Sequence, residues 1–445
     1  MKKFLSTAAA LGLVTGLAAT ASALELKVDG VYQVDGYYIN QGDGAAGGGG
    51  VFPFDDQFSQ ALRGADTDSD SWYWHTFRIN PTLIVNDKVE VRGDLRLVDD
   101  DTVWGSQPDG DTGNLSDGKH IRMRKLWLVY DSPIGKWEIG RRPAGAWMND
   151  FVNSSGAADR IMLWAPAMEN FKAYAFLQKS FEKDGFDGTL ENNDNDYYEV
   201  AAGYVAEGIT AWLGAAWTDD NRNDIGPLGS EFDQYRIKGY GDFKLTDTFK
   251  VLGEFDYLFG ETSFNSGAPD VDRDAWAGML GVVGNFGDLS TTLAYFGISG
   301  QDDSNDSTAY SVGTGTGTDF EPLYILTGYE ANVLNGDLGP NLVGTAARTS
   351  GVHAVMLLAD FNASEDLTLH GGLAWAQADE TDWFGPELDD EYGWEFDLGL
   401  AYKLYQNLTY EVHFGWWAVG DFAELGGATT TEDIYLLSHH LSMKF

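Results

Sequence analysis

The feature that most constrains this chain is a two-residue alternation of apolar and polar side chains that recurs along its length. In the first such stretch, Leu26, Val28, Tyr32, Val34 and Tyr38 share one face, whereas charged and polar residues occupy the other. A repeat of two residues is that of a β-strand with one apolar and one polar face, because an α-helix repeats every 3.6 residues. The chain is therefore predicted to be all-β.

The connections between these stretches alternate between short turns and long polar loops, which indicates a barrel that spans a membrane. Outer-membrane barrels have short periplasmic turns and long outer loops, whereas soluble β-sandwiches lack this rhythm. The strand count is 18, an even number that puts both chain ends on the periplasmic side, with 16 as the alternative count. The predicted fold class is an all-β, transmembrane antiparallel β-barrel. The short turns include Asn86-Asp87, 206–208, 246–248 and Gln406-Asn407, and the long loops include 182–195, 219–231 and 379–391.

Both ends of the chain agree with export to an outer membrane. Lys2 and Lys3 precede an uncharged, mostly apolar run that ends at the small-residue site Ala21-Ser22-Ala23, so residues 1–23 are predicted to be a signal peptide. Residues 24–445 would then form one barrel domain. The last strand ends on Phe445, and such a terminal aromatic residue resembles the assembly signal of bacterial outer-membrane barrels. The predicted location is the outer membrane of a Gram-negative bacterium, with its lipid as a partner.

Charge and motif content exclude several classes of function. A net charge of -41 argues against nucleic acid as a partner, because nucleic-acid-binding surfaces are basic. The chain has no cysteine and lacks the serine-hydrolase and zinc-protease motifs, so no enzyme activity is predicted. A hydrolase built on an Asp/His pair brought together by folding stays open. No cofactor is expected, apart from weak divalent-cation binding by acidic loop runs such as 109–118 and 192–196.

A basic cluster interrupts this acidic chain, since 11 of its 28 Lys and Arg residues lie between Arg78 and Arg142. The alternation turns Arg78, Arg92 and Arg96 toward the lumen, because an arginine that faces lipid at mid-membrane costs about 2–4 kcal/mol. Two interpretations stay open. The arginines line a pore, where opposed charges sort permeating solutes, or they only satisfy nearby acids. These acids are Glu90, Asp94 and Glu138.

The strand that follows His120 mixes basic and apolar residues on one face. Lys125 falls with Ile121, Met123 and Trp127 in the alternation. Arg122 and Arg124 occupy the other face and are the lumen candidates of this strand.

One segment resembles a known family. Residues 124–145, RKLWLVY followed after a turn by GKWEIGRRPAG, resemble the strand-turn-strand that precedes the constriction loop of bacterial general porins. In that family a Gly-x4-Gly-Arg pattern ends the fifth strand and the third outer loop folds into the lumen. The resemblance implies a homotrimer and an acidic side of the constriction in the loop after Arg142, carried by Asp150 or Asp159. Residues 319–328 also resemble a segment of porins from sulfate-reducing bacteria.

The predicted function is that of an outer-membrane porin, a water-filled channel for passive diffusion of small hydrophilic solutes and ions. A substrate-specific channel for a sugar or an anionic polymer is the alternative, and a barrel that acts as scaffold, adhesin or hydrolase is a third. Acidic loops should enrich cations at the mouth and give weak cation selectivity. The predicted pore constriction comprises Arg78, Arg92, Arg96, Arg122, Arg124, Arg142, Asp150 and Asp159.

Tryptophans near the ends of predicted strands have two interpretations. Trp72, Trp74, Trp416 and Trp417 are predicted to form an aromatic girdle at the membrane interface. A sugar-binding aromatic track inside the lumen is the alternative.

Overall fold

The structure, a computed structural model, describes most of the chain. The described residues are 24–40, 70–104, 121–145, 151–152, 156–182, 194–224, 229–302, 305–310, 320–328, 334, 350–381, 389–424 and 433–445. The predicted signal peptide, residues 1–23, lies outside them and stays a prediction. Within the described part of the chain, no helix is long and apolar enough to cross a membrane.

Within the described residues, eighteen strands form one antiparallel sheet, which confirms the predicted fold class and strand count. A short 3-10 helix, Asp421–Glu424, follows the seventeenth strand. The strands are β1 Glu25–Ile39, β2 Asp70–Asn86, β3 Val89–Val103, β4 Arg122–Ser132, β5 Gly135–Pro143, β6 Ala157–Trp164, β7 Phe171–Phe181, β8 Asn195–Ala206, β9 Ile209–Asn223, β10 Ser230–Lys244, β11 Phe249–Phe264, β12 Val271–Phe286, β13 Leu289–Ile298, β14 Val352–Asn362, β15 Leu367–Gln377, β16 Glu391–Tyr405, β17 Leu408–Val419 and β18 Ile434–Lys444.

The sheet closes into a barrel because its first and last strands pair with each other. Nine consecutive residue pairs join β1 to β18. Two backbone hydrogen bonds extend this seam, from Gly30 N to Phe445 O (2.9 Å) and from Phe445 N to Gly30 O (3.1 Å). Each of the 18 strands therefore has two hydrogen-bonded neighbours. This is the condition for β-structure inside a hydrocarbon layer, where no water satisfies backbone N–H and C=O groups.

The connections alternate along the chain as predicted. Two residues separate β2 from β3, β4 from β5, β8 from β9, β12 from β13 and β16 from β17. At the opposite end of the barrel the connections are longer, and residues 299–351 join β13 to β14. Because strand directions alternate, the start of β1 and the end of β18 both lie at the end with the short turns.

The two faces of the barrel wall differ in chemistry. Large apolar side chains such as Val200, Leu213 and Leu280 are exposed on the outer face. Their strand neighbours Glu199 and Trp212 are buried on the inner face. An apolar outside and a partly charged inside are the pattern of a barrel that has lipid around it and a polar lumen.

The second glycine of the Gly-x4-Gly-Arg pattern has a backbone explanation. Gly140 of β5 has a φ of 125°, a region that other residues rarely adopt. A Cβ at this position would lie 2.7 Å from the carbonyl oxygen of Leu126 on β4. Glycine therefore permits the close pairing of β4 and β5.

We expect Gly140→Ala to lower the free energy of unfolding by about 1–3 kcal/mol, because a side chain at this φ strains the backbone. Gly239→Ala is the matched control, since a Cβ there would find its nearest neighbour, the Trp212 carbonyl oxygen, at 4.0 Å. Urea unfolding of the detergent-folded barrel, followed by tryptophan fluorescence, measures both variants. Equal stability of the two variants would contradict the backbone explanation.

Candidate pore-lining site

A row of three arginines crosses three neighbouring strands on the inner face of the barrel. Arg78 of β2 lies opposite Arg96 of β3, and Arg96 lies opposite Arg122 of β4. Residues directly opposite each other share one face of a sheet. The next residue of β4, Met123, is exposed on the outer face. The structure thus places all three arginines on the inner face.

Carboxylates on the same strands neutralise part of this basic wall, which comprises Arg78, Arg92, Arg96, Arg122 and Arg142. The ion pairs are Arg92–Glu90 (Nε to Oε1, 2.7 Å), Arg142–Glu138 (Nε to Oε2, 2.8 Å) and Arg96–Asp94 (Nε to Oδ1, 4.0 Å). Arg96 and Arg142 are buried, whereas the Arg92 side chain is 46% exposed. Arg92, Arg96 and Arg142 are therefore each paired with a nearby carboxylate. Arg92 is also exposed to open space in the lumen.

A β-bulge at Arg124 explains why the faces of β4 are ambiguous in the sequence. Asp94 lies opposite Lys125 and Leu95 lies opposite Met123, so Arg124 has no residue opposite it on β3. The extra residue reverses the alternation. Lys125 faces inward after the bulge, and Met123 faces outward before it. Arg124 is consequently not part of the arginine row that crosses the strands.

The prediction that Asp159 lies in the loop after Arg142 is wrong. Asp159 belongs to β6, where its Oδ2 accepts a hydrogen bond from Arg141 NH1 at 2.7 Å. Both side chains lie on the outer face together with the exposed Ile161, because residues two apart on a strand share a face. The other acidic candidate, Asp150, lies outside the described residues.

The connection between β5 and β6 enters the lumen at Phe151 and Val152, which are both buried. Val152 N donates a hydrogen bond to Glu254 Oε1 on β11 at 3.2 Å. Val152 O accepts one from Arg236 NH2 on β10, also at 3.2 Å. Strands β10 and β11 stand several strands away from β5 and β6 around the barrel. These contacts therefore cross the interior.

The part of the barrel wall that contacts Phe151 and Val152 contains buried charged residues. The alternation of apolar and polar residues in the sequence does not predict their pairing. Arg236 forms an ion pair with Asp256, whose Oδ2 also accepts a hydrogen bond from the Tyr310 hydroxyl at 2.7 Å. Burial raises the pKa of Tyr310, and the Asp256 carboxylate raises it further, so the hydroxyl keeps its proton. These partners are 20 and 54 residues apart in sequence. Patterns within single strands cannot identify them.

A second buried ion pair lies beside the first. Lys238 Nζ donates to Glu199 Oε2 at 2.6 Å. The Glu199 carboxylate also accepts hydrogen bonds from the hydroxyls of Tyr174 and Tyr197. Because each charge has a close partner, the pair is tolerated in the interior of the barrel.

Part of the connection between β13 and β14 also packs inside the barrel. We name Phe320–Gly328 the inserted segment. Its Leu323 and Ile325 side chains are buried against the lumen wall. The Phe320 ring meets that of Phe151 edge-on, with centroids 5.2 Å apart. The two connections therefore touch each other inside the lumen.

Three of the four tryptophans predicted for the interfacial girdle face the lumen, so the girdle prediction is wrong for them. Trp72 and Trp74 pack against the buried Tyr37, with ring centroids 5.4 and 4.9 Å apart. Trp417 is buried as well, whereas Trp416 is exposed on the outer face. A position near a strand end does not determine which face a residue occupies.

The acidic loop runs show no metal centre in the described part of the chain. Asp194 and Asp196 each form an ion pair with Lys179 Nζ at 3.0 Å. Residues 109–118 lie outside the described residues. Across the described ranges, no group of three His, Cys, Asp or Glu residues could hold a metal ion. Weak cation binding by the loops stays a prediction.

The described lumen is thus asymmetric. Phe151, Val152 and the inserted segment pack on the inner faces of β10 to β18, whereas Arg92 and Arg122 on β3 and β4 are exposed. A solute that crosses this lumen would pass the basic wall on one side and the packed connections on the other. Charged groups that line a lumen act on the ions that pass through it.

Solved structures share this fold. Pseudomonas aeruginosa OccK8 (OprE) is 12% identical, with a TM-score of 0.51 over 94% of this chain and 98% of that chain. Pseudomonas aeruginosa OprD is 13% identical, with a TM-score of 0.51 over 96% and 97%. The outer membrane channel DcaP of Acinetobacter baumannii is 13% identical, with a TM-score of 0.48 over 96% and 100%. No protein-family model and no curated protein sequence matches the chain. The two Pseudomonas aeruginosa structures, both with TM-scores of 0.51, show the same barrel fold.

We expect Glu199→Gln to lower the free energy of unfolding by about 3–5 kcal/mol, because it removes the carboxylate from a buried ion pair. Glu90→Gln is the control, since its partner Arg92 is about half exposed and such pairs contribute about 0–1 kcal/mol. Chemical unfolding of the two folded variants measures the difference. A Glu199→Gln variant no less stable than Glu90→Gln would contradict a structural role for the pair.

Proposed function

We propose that the chain forms a water-filled channel in the outer membrane of a Gram-negative bacterium. The observation that carries the proposal is the exposed, charged Arg92 and Arg122 inside a closed barrel whose outer face is apolar. Exposed arginines on a lumen wall need water, because an unsolvated charge inside a membrane protein is costly. Barrels of 16–18 strands leave room for an aqueous channel. The fold shared with outer-membrane barrels supports the same location.

The solutes of this channel are small hydrophilic molecules and ions that move by passive diffusion. The ion pairs of the basic wall leave it with less net charge than its arginines alone would give. Acidic connections at the mouth enrich cations, so the channel is weakly cation selective. Neither a cofactor nor an enzymatic step enters the proposal.

Single-channel recording tests this function. Purified protein inserted into a planar lipid bilayer should give discrete current steps that rise linearly with salt concentration. Reconstituted protein that shows the heat-modifiable gel mobility of a folded barrel but carries no current would refute the channel. That result would favour the scaffold, adhesin or hydrolase alternative.

A substrate-specific channel is the second candidate. The observation that favours it is the entry of two connections into one lumen, where Phe151 meets Phe320. A narrower path allows closer contact with a solute and thus discrimination among solutes. A sugar or an anionic polymer that blocks the current in a saturable manner would favour this candidate, whereas flux that depends only on solute size would favour the general porin.

Homotrimeric assembly rests on the resemblance to general porins. Membership of the porins of sulfate-reducing bacteria rests only on residues 319–328. The mass of the detergent-solubilised complex, corrected for bound detergent, distinguishes a monomer from a trimer.

We expect Arg92→Gln to shift the reversal potential in a salt gradient toward stronger cation selectivity, because it removes a positive charge from the lumen wall. Arg141→Gln is a matched control. Both arginines are ion-paired and about half exposed, at 46% and 50%, but Arg141 lies on the outer face. Equal shifts in the two variants, or none in Arg92→Gln, would contradict the assignment of Arg92 to the ion path.

A further inference from the structure

Two carboxylates on the inner face of β16 have no side-chain cation beside them among the described residues. Glu395 and Asp397 are two residues apart and therefore point to the same side of the strand. Both are buried, with exposed fractions of 0% and 3%. A buried carboxylate needs hydrogen-bond donors, and here the donors come from a distant part of the chain.

Successive backbone N–H groups of the inserted segment supply these donors. Tyr324 N and Ile325 N donate to Glu395 Oε1 at 2.9 and 2.6 Å, and Leu326 N donates to Glu395 Oε2 at 2.7 Å. Tyr324 N also lies 3.2 Å from Asp397 Oδ2. Consecutive N–H groups that converge on one point form an anion-binding concavity. The segment thus wraps its backbone around the Glu395 carboxylate.

The wall beside these carboxylates is shaped to receive the same residues. A Cβ at Gly399 would overlap the Tyr324 hydroxyl, and a Cβ at Gly415 would lie 3.0 Å from Ile325 Cγ1. The Tyr324 ring also stacks on the His413 ring, with centroids 4.3 Å apart and planes 9° apart. The two glycines thus leave room in the wall for the Tyr324 and Ile325 side chains. The fit is therefore specific to this docked position.

We propose that Glu395 and Asp397 form a latch that holds the inserted segment in the lumen and so sets the width of the water path. This inference rests on the proposed channel function. Buried N–H groups without an acceptor are costly, and the two carboxyl groups supply the acceptors. Apolar contacts of Ile325 and Leu326 alone would leave the N–H groups of Tyr324, Ile325 and Leu326 without these acceptors. Loss of the latch should therefore release the segment and widen the lumen.

The first test is Glu395→Met, which keeps the bulk of the side chain and removes both acceptor oxygens. We expect roughly a twofold rise in single-channel conductance, because the conductance of a water-filled path rises with its cross-section. Asp360→Leu is the control. It also removes one lumen carboxylate, but Asp360 is hydrogen-bonded to His370 on β15 and accepts no described hydrogen bond from the inserted segment. A Glu395→Met channel that conducts like Asp360→Leu would overturn the latch.

A disulfide provides the rescue experiment, because the chain contains no cysteine of its own. Ile325→Cys and Gly415→Cys, added to Glu395→Met, place two thiols next to each other, because a Cβ at Gly415 would lie 3.0 Å from Cγ1 of the Ile325 side chain that the cysteine replaces. Oxidation should return the conductance to the wild-type value, and reduction should raise it again. An oxidised, cross-linked channel that stays wide would contradict the proposal.

Thiol labelling tests the latch independently of the channel function. Ile325→Cys should react slowly with a water-soluble maleimide in the wild-type background, because Ile325 is fully buried. In the Glu395→Met background we expect a rate roughly tenfold higher or more, since local opening exposes the thiol. Unchanged labelling would refute the latch whether or not the protein conducts. A wild-type protein without current, but with this difference in labelling, would refute only the channel.

Discussion

Backbone pairing between β1 and β18 is the constraint on which the rest of the structure depends. A sheet with an open edge would present unpaired N–H and C=O groups to hydrocarbon, where water cannot satisfy them. The hydrogen bonds between Gly30 and Phe445 complete the seam at the end with the short turns. Once the sheet is closed, every strand has a lipid side and a lumen side. The alternation of residues is the direct consequence of this closure.

Closure of 18 strands creates an interior too wide for wall side chains to fill. The chain fills part of it with its own connections, which carry backbone polar groups into the lumen. Those groups need partners, and the wall provides them as buried charges. Glu254 and Arg236 bind the backbone of Val152, and Glu395 binds that of the inserted segment. Buried charges in this barrel thus serve to position loops, whereas the exposed Arg92 and Arg122 face the open side.

Features that repeat within single strands could be predicted from the sequence. The strand count, the alternation of short and long connections and the inward direction of Arg78, Arg92 and Arg96 follow from periodicity alone. Asp159 could not be placed, because the sequence does not mark Ala157 as the start of β6. The faces of β4 could not be resolved, because one inserted residue at Arg124 reverses them. Ile325 contacts Glu395, which is 70 residues away in the sequence. Such a contact forms only when the barrel closes, and no pattern within a single strand predicts it.

The central claim is that the barrel has lipid outside and an aqueous path along the basic wall inside. Single cysteines at Arg92 and Leu126 test it, because both residues are exposed and they lie on opposite faces of adjacent strands. The measurement is single-channel current during addition of a charged, membrane-impermeant thiol reagent. The account predicts a stepwise loss of current in Arg92→Cys and no change in Leu126→Cys. Unchanged current in Arg92→Cys after complete labelling, or equal loss in both variants, would contradict it.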